Sequence, residues 1–232
     1  MIRQFPLDLR WPPHQRLDAF WPGANVPALQ GVSDAAKGAG AWLYLHGGSG
    51  TGKSHLLIGA CRAALEAGQA ARYVSLAQLA APRSDAIGGV EPAGLLAIDD
   101  LQAIAGDREA ERALFDLYNR AKAAQARMLF AGHASPAELG LTLPDLVSRL
   151  SMCTQYALRP LDDAGRRAML RVLAGRLGLR LDDEVLDWWF ARQPRDPASL
   201  VALLHRVDRA SLAAQRRITI PFLRELLQES QG

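Results

Sequence analysis

Residues 43–57 determine the fold, and they read Leu-Tyr-Leu-His-Gly-Gly-Ser-Gly-Thr-Gly-Lys-Ser-His-Leu-Leu. The apolar residues before the glycines predict a strand, and those after them predict a helix. From Gly47 to Ser54 the spacing is that of a P-loop, whose backbone N–H groups point inward at a phosphate. The stretch predicts a phosphate-binding set made of Gly47, Gly48, Ser49, Gly50, Thr51, Gly52, Lys53, Ser54 and His55.

Two side chains of this loop are predicted to contact the phosphates and the metal ion directly. Lys53 is placed to give a positive charge to the β- and γ-phosphates of a nucleotide, and Ser54 offers a hydroxyl to Mg²⁺. The glycines beside them are needed because a Cβ would restrict the backbone and block close approach. The stretch therefore predicts ADP or ATP, with Mg²⁺, as the cofactor.

A second motif follows a continuously apolar segment at 94–98. Asp99 and Asp100 come directly after this predicted strand, and the carboxyl ends of parallel strands lie on the same sheet edge as a P-loop. Asp99 would hold Mg²⁺ through its water shell, together with Ser54. Asp100 would orient or activate an attacking water, which makes it a candidate catalytic residue.

Strands alternate with helices as far as residue 158, which predicts an α/β fold with a parallel sheet and helices on both faces. Beyond Pro160 the apolar period is helical throughout. We therefore predict a flexible arm over 1–16, a nucleotide-binding domain over 17–160 and a small helical subdomain over 161–232. Strands are predicted at 41–45, 71–76, 94–98, 127–131 and 154–158, and helices at 108–125, 143–150, 164–177, 184–191, 198–215 and 222–227.

The arm contains an apolar alternation at Phe5, Leu7 and Leu9, and Pro6 keeps that segment extended. Such a segment on an exposed arm would bind in a groove of another protein. The alternative is that it folds back onto its own domain.

The net charge, the length of the apolar runs and the cysteine spacing exclude several classes of protein. The net charge is +3, and the excess of basic residues lies beyond residue 158. This excess of positive charge is small for a protein whose main role is to bind duplex DNA. No apolar run is long enough to span a bilayer, and the first residues lack a signal peptide, so we predict a cytoplasmic protein. Cys61 and Cys153 have no metal-binding spacing and are predicted to be reduced core residues.

Two further features leave alternatives open. Phe20 and Trp21 lie upstream of the first strand, either beside a nucleotide base or as a plug of the core. His133 follows a predicted strand and either contacts the γ-phosphate or faces solvent in a loop.

Together with Arg149 on a short helix before the last strand, these motifs resemble the AAA+ ATPases. Within that class the chain resembles the bacterial initiator DnaA, and more closely the Hda family of DnaA-related proteins. The stretches that carry this resemblance are 20–23, 99–102, 115–120, 143–150, 208–216 and 219–222.

The resemblance implies a negative regulator of replication initiation that stimulates hydrolysis of the ATP bound to DnaA. Gln4, with Phe5, Leu7 and Leu9, is similar to the peptide that docks on the DNA polymerase III β sliding clamp, which would bring the protein to the nucleoid. Arg149 would be the arginine finger, the second candidate catalytic residue. The competing interpretation is an ion pair with Asp145. Direct contact with DNA would be weak, and homo-oligomerisation stays open.

Departures from the family pattern weigh against independent ATP turnover. His133 stands where the initiator has an acid at its first sensor, and Ala198 stands where the lid sensor arginine falls. Arg195 lies one helical turn away and is a candidate substitute. An autonomous AAA+ loader or remodeller of DNA-bound complexes is the alternative function. A metabolic P-loop kinase would need a second-substrate site, which we do not find in the sequence.

Overall fold

The structure is a computed structural model that describes residues 11–12 and 14–228. The clamp-binding residues predicted from the sequence, Gln4, Phe5, Leu7 and Leu9, lie outside this part of the chain. Two compact units divide the chain, Met1–Arg159 and Pro160–Gly232.

The first unit is built on a five-stranded sheet in the order β2-β3-β4-β1-β5, and every pairing is parallel. This arrangement confirms the predicted α/β fold with a parallel sheet. The strands are β1 Leu43–His46, β2 Ala71–Ser75, β3 Leu95–Asp99, β4 Arg127–Gly132 and β5 Thr154–Ala157. The helices are α1 Val26–Ala36, α2 Lys53–Glu66, α3 Arg83–Gly88, α4 Arg108–Ala123 and α5 Pro144–Ser151.

Successive side chains of the central strands point to opposite faces of the sheet, so the core consists of two layers. Leu43 and Leu45 of β1 pack in the cluster that contains α1 and α2, whereas Tyr44 packs in the cluster with α3, α4 and α5. Successive strand side chains point to opposite faces, so a strand with apolar residues at every position is covered on both sides. The predicted placement of helices on both faces follows from this pattern.

The structure differs from the sequence prediction mainly at α3. No element is predicted between the strands at 71–76 and 94–98, but Arg83–Gly88 is a six-residue helix. Its first residue follows Pro82, and one side chain, that of Ile87, is fully buried. A helix this short carries too few apolar residues for a visible period. The predicted strands and the other helices are found with ends shifted by one or two residues, as is usual at element boundaries.

The second unit consists of the helices α6 Asp163–Arg176, α7 Asp183–Arg192, α8 Pro197–Ala214 and α9 Ile220–Gln228. Two of them, α6 and α8, are capped by the aspartate that precedes them, whose side chain accepts a backbone N–H: Asp162 from Gly165 and Asp196 from Ser199. The buried apolar face includes Leu186, Trp189 and Leu200.

Within the described residues, every helix is too short or too polar to cross a bilayer.

Candidate functional site

The P-loop joins the carboxyl end of β1 to the first residue of α2. Gly47 has φ +147° and Gly52 has φ +96°, values that residues with a side chain rarely adopt. A Cβ on Gly47 would lie 2.5 Å from the carbonyl oxygen of Leu158, and one on Gly52 would lie 2.5 Å from the Phe20 ring. Both glycines are therefore required by backbone angle and by space, which explains their place in the motif.

The ammonium group of Lys53 lies inside the loop. Its Nζ donates to the carbonyl oxygens of Gly47 at 2.7 Å and Gly48 at 2.8 Å. Burial lowers the pKa of Lys53, and the negative charges of Asp99 and Asp100 act in the opposite direction. The loop therefore holds a cation over its own carbonyl groups, where an incoming polyphosphate offers a stronger partner.

Asp99, at the end of β3, is almost fully buried and accepts several hydrogen bonds. The Tyr73 hydroxyl donates to Oδ2 at 2.8 Å, the Asp100 N–H donates to Oδ1 at 2.8 Å, and the Ser54 hydroxyl is also hydrogen-bonded to the carboxyl group. Burial raises the pKa of Asp99, while the hydrogen bonds from Ser54 and Tyr73 lower it. The predicted pair of Mg²⁺ residues, Ser54 and Asp99, is thus brought together.

These two residues fit a magnesium ion. A hydroxyl and a carboxylate in contact provide the hard oxygen atoms that Mg²⁺ prefers, and it usually takes one or two protein ligands besides phosphate and water. Across residues 11–12 and 14–228, no cluster of three or more His, Cys, Asp or Glu side chains offers a site made of protein ligands alone. When bound, the ion would neutralise charge on the phosphates next to Lys53.

Asp100 has a left-handed backbone, with φ 59° and ψ 44°, and both of its carboxylate oxygens accept hydrogen bonds. Ser75 Oγ donates to Oδ2 at 2.7 Å, and Gln102 Nε2 donates to Oδ1 at 3.1 Å. Both oxygens are therefore engaged within this chain, and the water-activating role of Asp100 remains a prediction. We call Gly47–Ser54 with Asp99 and Asp100 the nucleotide cradle.

His55 and Phe20 pack against each other at the side of the cradle. The His55 Nε2 lies 2.8 Å from the Arg16 carbonyl oxygen, and its ring meets the Phe20 ring edge-on with centroids 5.4 Å apart. Burial lowers the pKa of His55. With the ring engaged in this way, His55 can offer a phosphate only its backbone N–H in the first turn of α2. Phe20 lies against Gly52 and also packs on the α1 and α2 cluster, so both of its predicted roles remain open.

Arg149 lies near the amino ends of the strands, whereas the cradle lies at their carboxyl ends. Its helix α5 ends two residues before β5 begins, and Thr154 N donates to the carbonyl oxygen of Trp42, just before β1. The P-loop follows the other end of β1, a four-residue strand about 13 Å long. Burial raises the pKa of Tyr118, the nearby charge of Arg149 acts in the opposite direction, and the Tyr118 ring contacts the Trp42 ring. Arg149 is thus separated from this chain's own P-loop by the length of the sheet.

The guanidinium of Arg149 forms no ion pair with any acidic side chain that the structure describes, and Asp145 is exposed. The structure therefore does not contain the competing ion pair with Asp145. Leu146 and Leu150, on the other face of α5, are fully buried and fix the helix to the core. A half-buried cation on a rigid helix is available to a partner outside this chain.

A fully buried carboxylate, Glu111 of α4, holds the start of α5 in place. Its Oε2 accepts from Leu143 N at 2.7 Å and from Thr142 N at 2.8 Å, and its Oε1 accepts from Gly106 N at 2.9 Å. Leu143 is the residue that precedes α5. Glu111 thus sets the position of the helix that carries Arg149.

His133 is exposed in the loop after β4, at the same edge as the P-loop. In the second unit, Ala198 lies in the first turn of α8. Arg195 donates from Nε to the Phe190 carbonyl oxygen at 2.9 Å and pairs with Asp163 at 2.7 Å. Its guanidinium is therefore engaged within the unit, and its use as a substitute sensor remains a prediction.

Sequence reasoning missed three residues of these sites, namely Tyr73, Ser75 and Glu111. Tyr73 and Ser75 lie on β2, two residues apart; Tyr73 donates to Asp99 at the end of the neighbouring strand β3, and Ser75 donates to Asp100, which follows that strand. Their spacing places both on one face of the strand, which is a weak signal. Glu111 lies in the otherwise polar first turn of α4, and nothing in the local pattern distinguishes it from Glu109.

Comparison with known proteins gives a family match within the second unit and a fold match for most of the chain. Residues 163–227 match the family model described as Hda, lid domain. Domain III of the Thermotoga maritima replication initiator DnaA matches with a TM-score of 0.72 and 22% identity, over 94% of this chain and 97% of that one. Residues 163–227 therefore match the Hda lid domain, and the chain has a fold like that of DnaA domain III.

Three other matches extend the comparison. AMPPCP-bound DnaA from Aquifex aeolicus has a TM-score of 0.67 at 23% identity, over 84% of this chain and 66% of that one. A Thermotoga maritima RuvB branch migration motor has a TM-score of 0.64 at 17% identity, over 92% and 71%. A replication initiator DnaA bound to AMPPCP and single-stranded DNA has a TM-score of 0.70 at 22% identity, and this chain spans 65% of its length, just under two thirds. The AAA+ fold predicted from the sequence is confirmed.

Proposed function

We propose that this chain is a clamp-bound negative regulator of replication initiation, which stimulates hydrolysis of the ATP held by DnaA. The Hda lid domain and the DnaA-like AAA+ fold support a DnaA-related regulator of replication. The finer claims, a sliding clamp as anchor and DnaA-bound ATP as target, rest on the residues of the arm and on Arg149.

The position of Arg149 carries the proposal. It is unpaired among described acidic groups, it lies on a helix anchored by buried leucines, and the sheet separates it from this chain's cradle. A guanidinium placed against the γ-phosphate of another subunit neutralises the charge that grows during phosphoryl transfer. Fingers of this kind supply on the order of 10³ to 10⁵ in rate.

The cradle itself would hold ADP or ATP with Mg²⁺ without rapid turnover. Lys53, Ser54 and Asp99 provide the parts that bind phosphate and metal. The residues that would sense the γ-phosphate are the ones that depart from the family pattern, His133 and Ala198. A bound nucleotide would then stabilise the fold rather than drive a motor.

The test is the rate of ATP hydrolysis by DnaA in the presence of this protein, with and without clamp loaded on DNA. We expect stimulation that depends on the loaded clamp and on both proteins. Rapid ATP turnover by this protein alone would instead favour the autonomous loader or remodeller.

The clamp anchor is tested separately. Changing Gln4, Leu7 and Leu9 together to alanine is expected to abolish co-elution with the clamp and to leave the melting temperature nearly unchanged, because an exposed arm contributes little to a core. A variant that still co-elutes, or that melts far lower, would show that the segment belongs to the fold instead.

A further inference from the structure

The chain just before Phe20 lies along one face of the P-loop helix α2. We call the described residues of this segment, 11–12 and 14–17, the strap. The α2 residues that contact the strap recur every three or four positions and so share one side of the helix. They are His55, Gly59, Arg62 and Glu66.

Two polar contacts hold the strap along the second half of α2. Arg62 Nη2 donates to the carbonyl oxygens of Trp11 at 3.0 Å and of Pro12 at 3.4 Å. Arg16 pairs with both carboxylate oxygens of Glu66, at 2.7 and 3.2 Å. The side chains of that ion pair are 41% and 51% exposed, and exposed pairs contribute little to stability. Arg62 is therefore the main polar anchor of the strap.

Gly59 provides the space into which the strap packs. It is buried in the interior of α2, where alanine would favour the helix more than glycine does. A Cβ on Gly59 would lie 2.9 Å from Leu17 Cδ2 and 3.0 Å from Leu17 N. A Cβ on Gly175 of α6, by contrast, would point into open space. The glycine in α2 is therefore explained by the strap and not by the helix.

The strap ends beside the nucleotide cradle. The Arg16 carbonyl oxygen lies 2.8 Å from Nε2 of His55, which is in the first turn of α2. Four residues further on, the Phe20 ring occupies the place where a Cβ on Gly52 would come within 2.5 Å of it. A seated strap thus fixes two rings against the P-loop, and a loop that is already ordered loses less entropy when it binds phosphate.

The strap also carries buried polar atoms that oppose its seating. Trp11 Nε1 and Gln15 Oε1 are buried without a hydrogen-bond partner among the described residues. Each such atom costs free energy in the seated state that it would regain in water. A segment held by few contacts against such a cost opens more readily than the core.

We propose that the strap couples the nucleotide cradle to the segment 1–10: a bound nucleotide keeps the strap seated, and release of the strap weakens nucleotide binding. The inference rests on the nucleotide binding in the proposed function, and it adds a regulation of the segment that contains the predicted clamp-binding residues. The coupling is reciprocal, because a ligand that prefers the seated state binds less tightly when that state is less populated.

The experiment follows tryptic cleavage of the full chain at the Arg16–Leu17 bond by mass spectrometry, with and without ADP and Mg²⁺. Both residues of this bond contact α2, so trypsin cuts it when the strap opens, and the rate follows the open population. Saturating ADP is expected to slow this cut by about tenfold. Cleavage after Arg120, inside α4, reports unfolding of the whole unit and serves as the internal control.

Two variants open the strap in different ways. Arg62→Ala removes its main polar anchor, and Gly59→Ala places a methyl group where Leu17 packs. Without nucleotide, each is expected to speed cleavage after Arg16 by about tenfold. Each should also weaken ADP binding in calorimetry by at least about threefold, as the seated fraction falls. The matched controls, Gly175→Ala and the exposed Arg112→Ala, should stay within about twofold of wild type in both measurements.

The outcomes separate this inference from the proposed function. Faster cleavage after Arg16 with unchanged ADP affinity, or a wild-type cut that bound ADP does not slow, overturns the coupling and leaves the cradle and Arg149 as proposed. Unchanged cleavage in both variants, or equal acceleration after Arg120, overturns it as well. If the wild-type protein does not bind ADP, the coupling and the proposed nucleotide binding are both overturned.

Discussion

The nucleotide cradle and the helix α5 that carries Arg149 differ in how their charges are satisfied. In the cradle, Lys53 donates to two loop carbonyl groups and Asp99 accepts from three donors, all within this chain. At the opposite ends of the strands, Arg149 forms no ion pair with a described acid. We infer that the cradle, at the carboxyl ends of the strands, holds a nucleotide in this chain. Arg149, near the amino ends of the strands, would provide charge to a nucleotide bound by another protein.

The largest expected effect is that of Arg149→Ala on DnaA. Stimulated hydrolysis should fall at least about a hundredfold, because the guanidinium no longer neutralises charge at the γ-phosphate. The melting temperature and the affinity of this chain for ADP should not change, since Arg149 lies away from its own cradle. The hydrolysis rate at saturating protein is the measurement. Normal stimulation by the variant would remove Arg149 from the mechanism.

Glu111→Gln tests whether the position of α5 is held by one buried carboxylate. The free energy of unfolding should fall by about 3 kcal/mol, because an amide in that site faces N–H donors and has lost the charge that they bind. Urea unfolding provides the measurement. Glu109→Gln, at an exposed position of the same helix, is the control and should change the value by less than about 0.5 kcal/mol. Equal effects in the two variants would contradict the assignment.

Lys53→Ala tests the cradle directly. The affinity for ADP should fall by about 10- to 100-fold, because charge-assisted hydrogen bonds to phosphate contribute about 1.5 to 3 kcal/mol each. Calorimetric titration measures it, with the exposed Lys37→Ala as control. An unchanged affinity for ADP would remove the P-loop assignment.

Tyr73→Phe and Tyr44→Phe together compare the loss of a hydrogen bond to a carboxylate with the loss of one to a neutral carbonyl group. Tyr73→Phe removes the donor to Asp99 and should lower the free energy of unfolding by about 1.5 to 3 kcal/mol. Tyr44→Phe removes a 3.0 Å hydrogen bond to the Ala134 carbonyl oxygen and should cost about 1 kcal/mol. Urea unfolding of the two variants is the measurement, and a smaller loss in Tyr73→Phe would contradict the role given to Tyr73.

His55 gives the smallest expected effect, a dependence of stability on pH. Burial lowers its pKa in the folded state, so below about pH 6.5 the unfolded chain binds the proton more readily. Stability should therefore decrease as pH falls from about 6.5 through the folded pKa, by at most about 1.4 kcal/mol per pH unit for this group. His55→Gln should reduce that slope in thermal unfolding. A slope equal to wild type in His55→Gln would show that the ring is not the titrating group.

The sequence predicts more of the fold than of the supporting contacts around the site. The P-loop and the acids after β3 are local patterns whose spacing follows from their chemistry, so the sequence alone is enough to place Lys53, Ser54 and Asp99. Tyr73 reaches Asp99 from a neighbouring strand, 26 residues away in the chain. Glu111 reaches the start of α5 across 32 residues. Contacts of this kind depend on strand order and helix packing, which no local period encodes.

The central claim is that this chain binds a nucleotide in its cradle and acts on the nucleotide of DnaA through Arg149, at the opposite ends of the strands. The most direct measurement is a single-turnover assay in which the γ-phosphate of ATP is labelled on one protein at a time, with loaded clamp present. We predict fast release of labelled phosphate from DnaA only when Arg149 is intact, and slow release when the label is on this chain. Equally fast release from the nucleotide of this chain, in the wild type and in Arg149→Ala alike, would contradict the account.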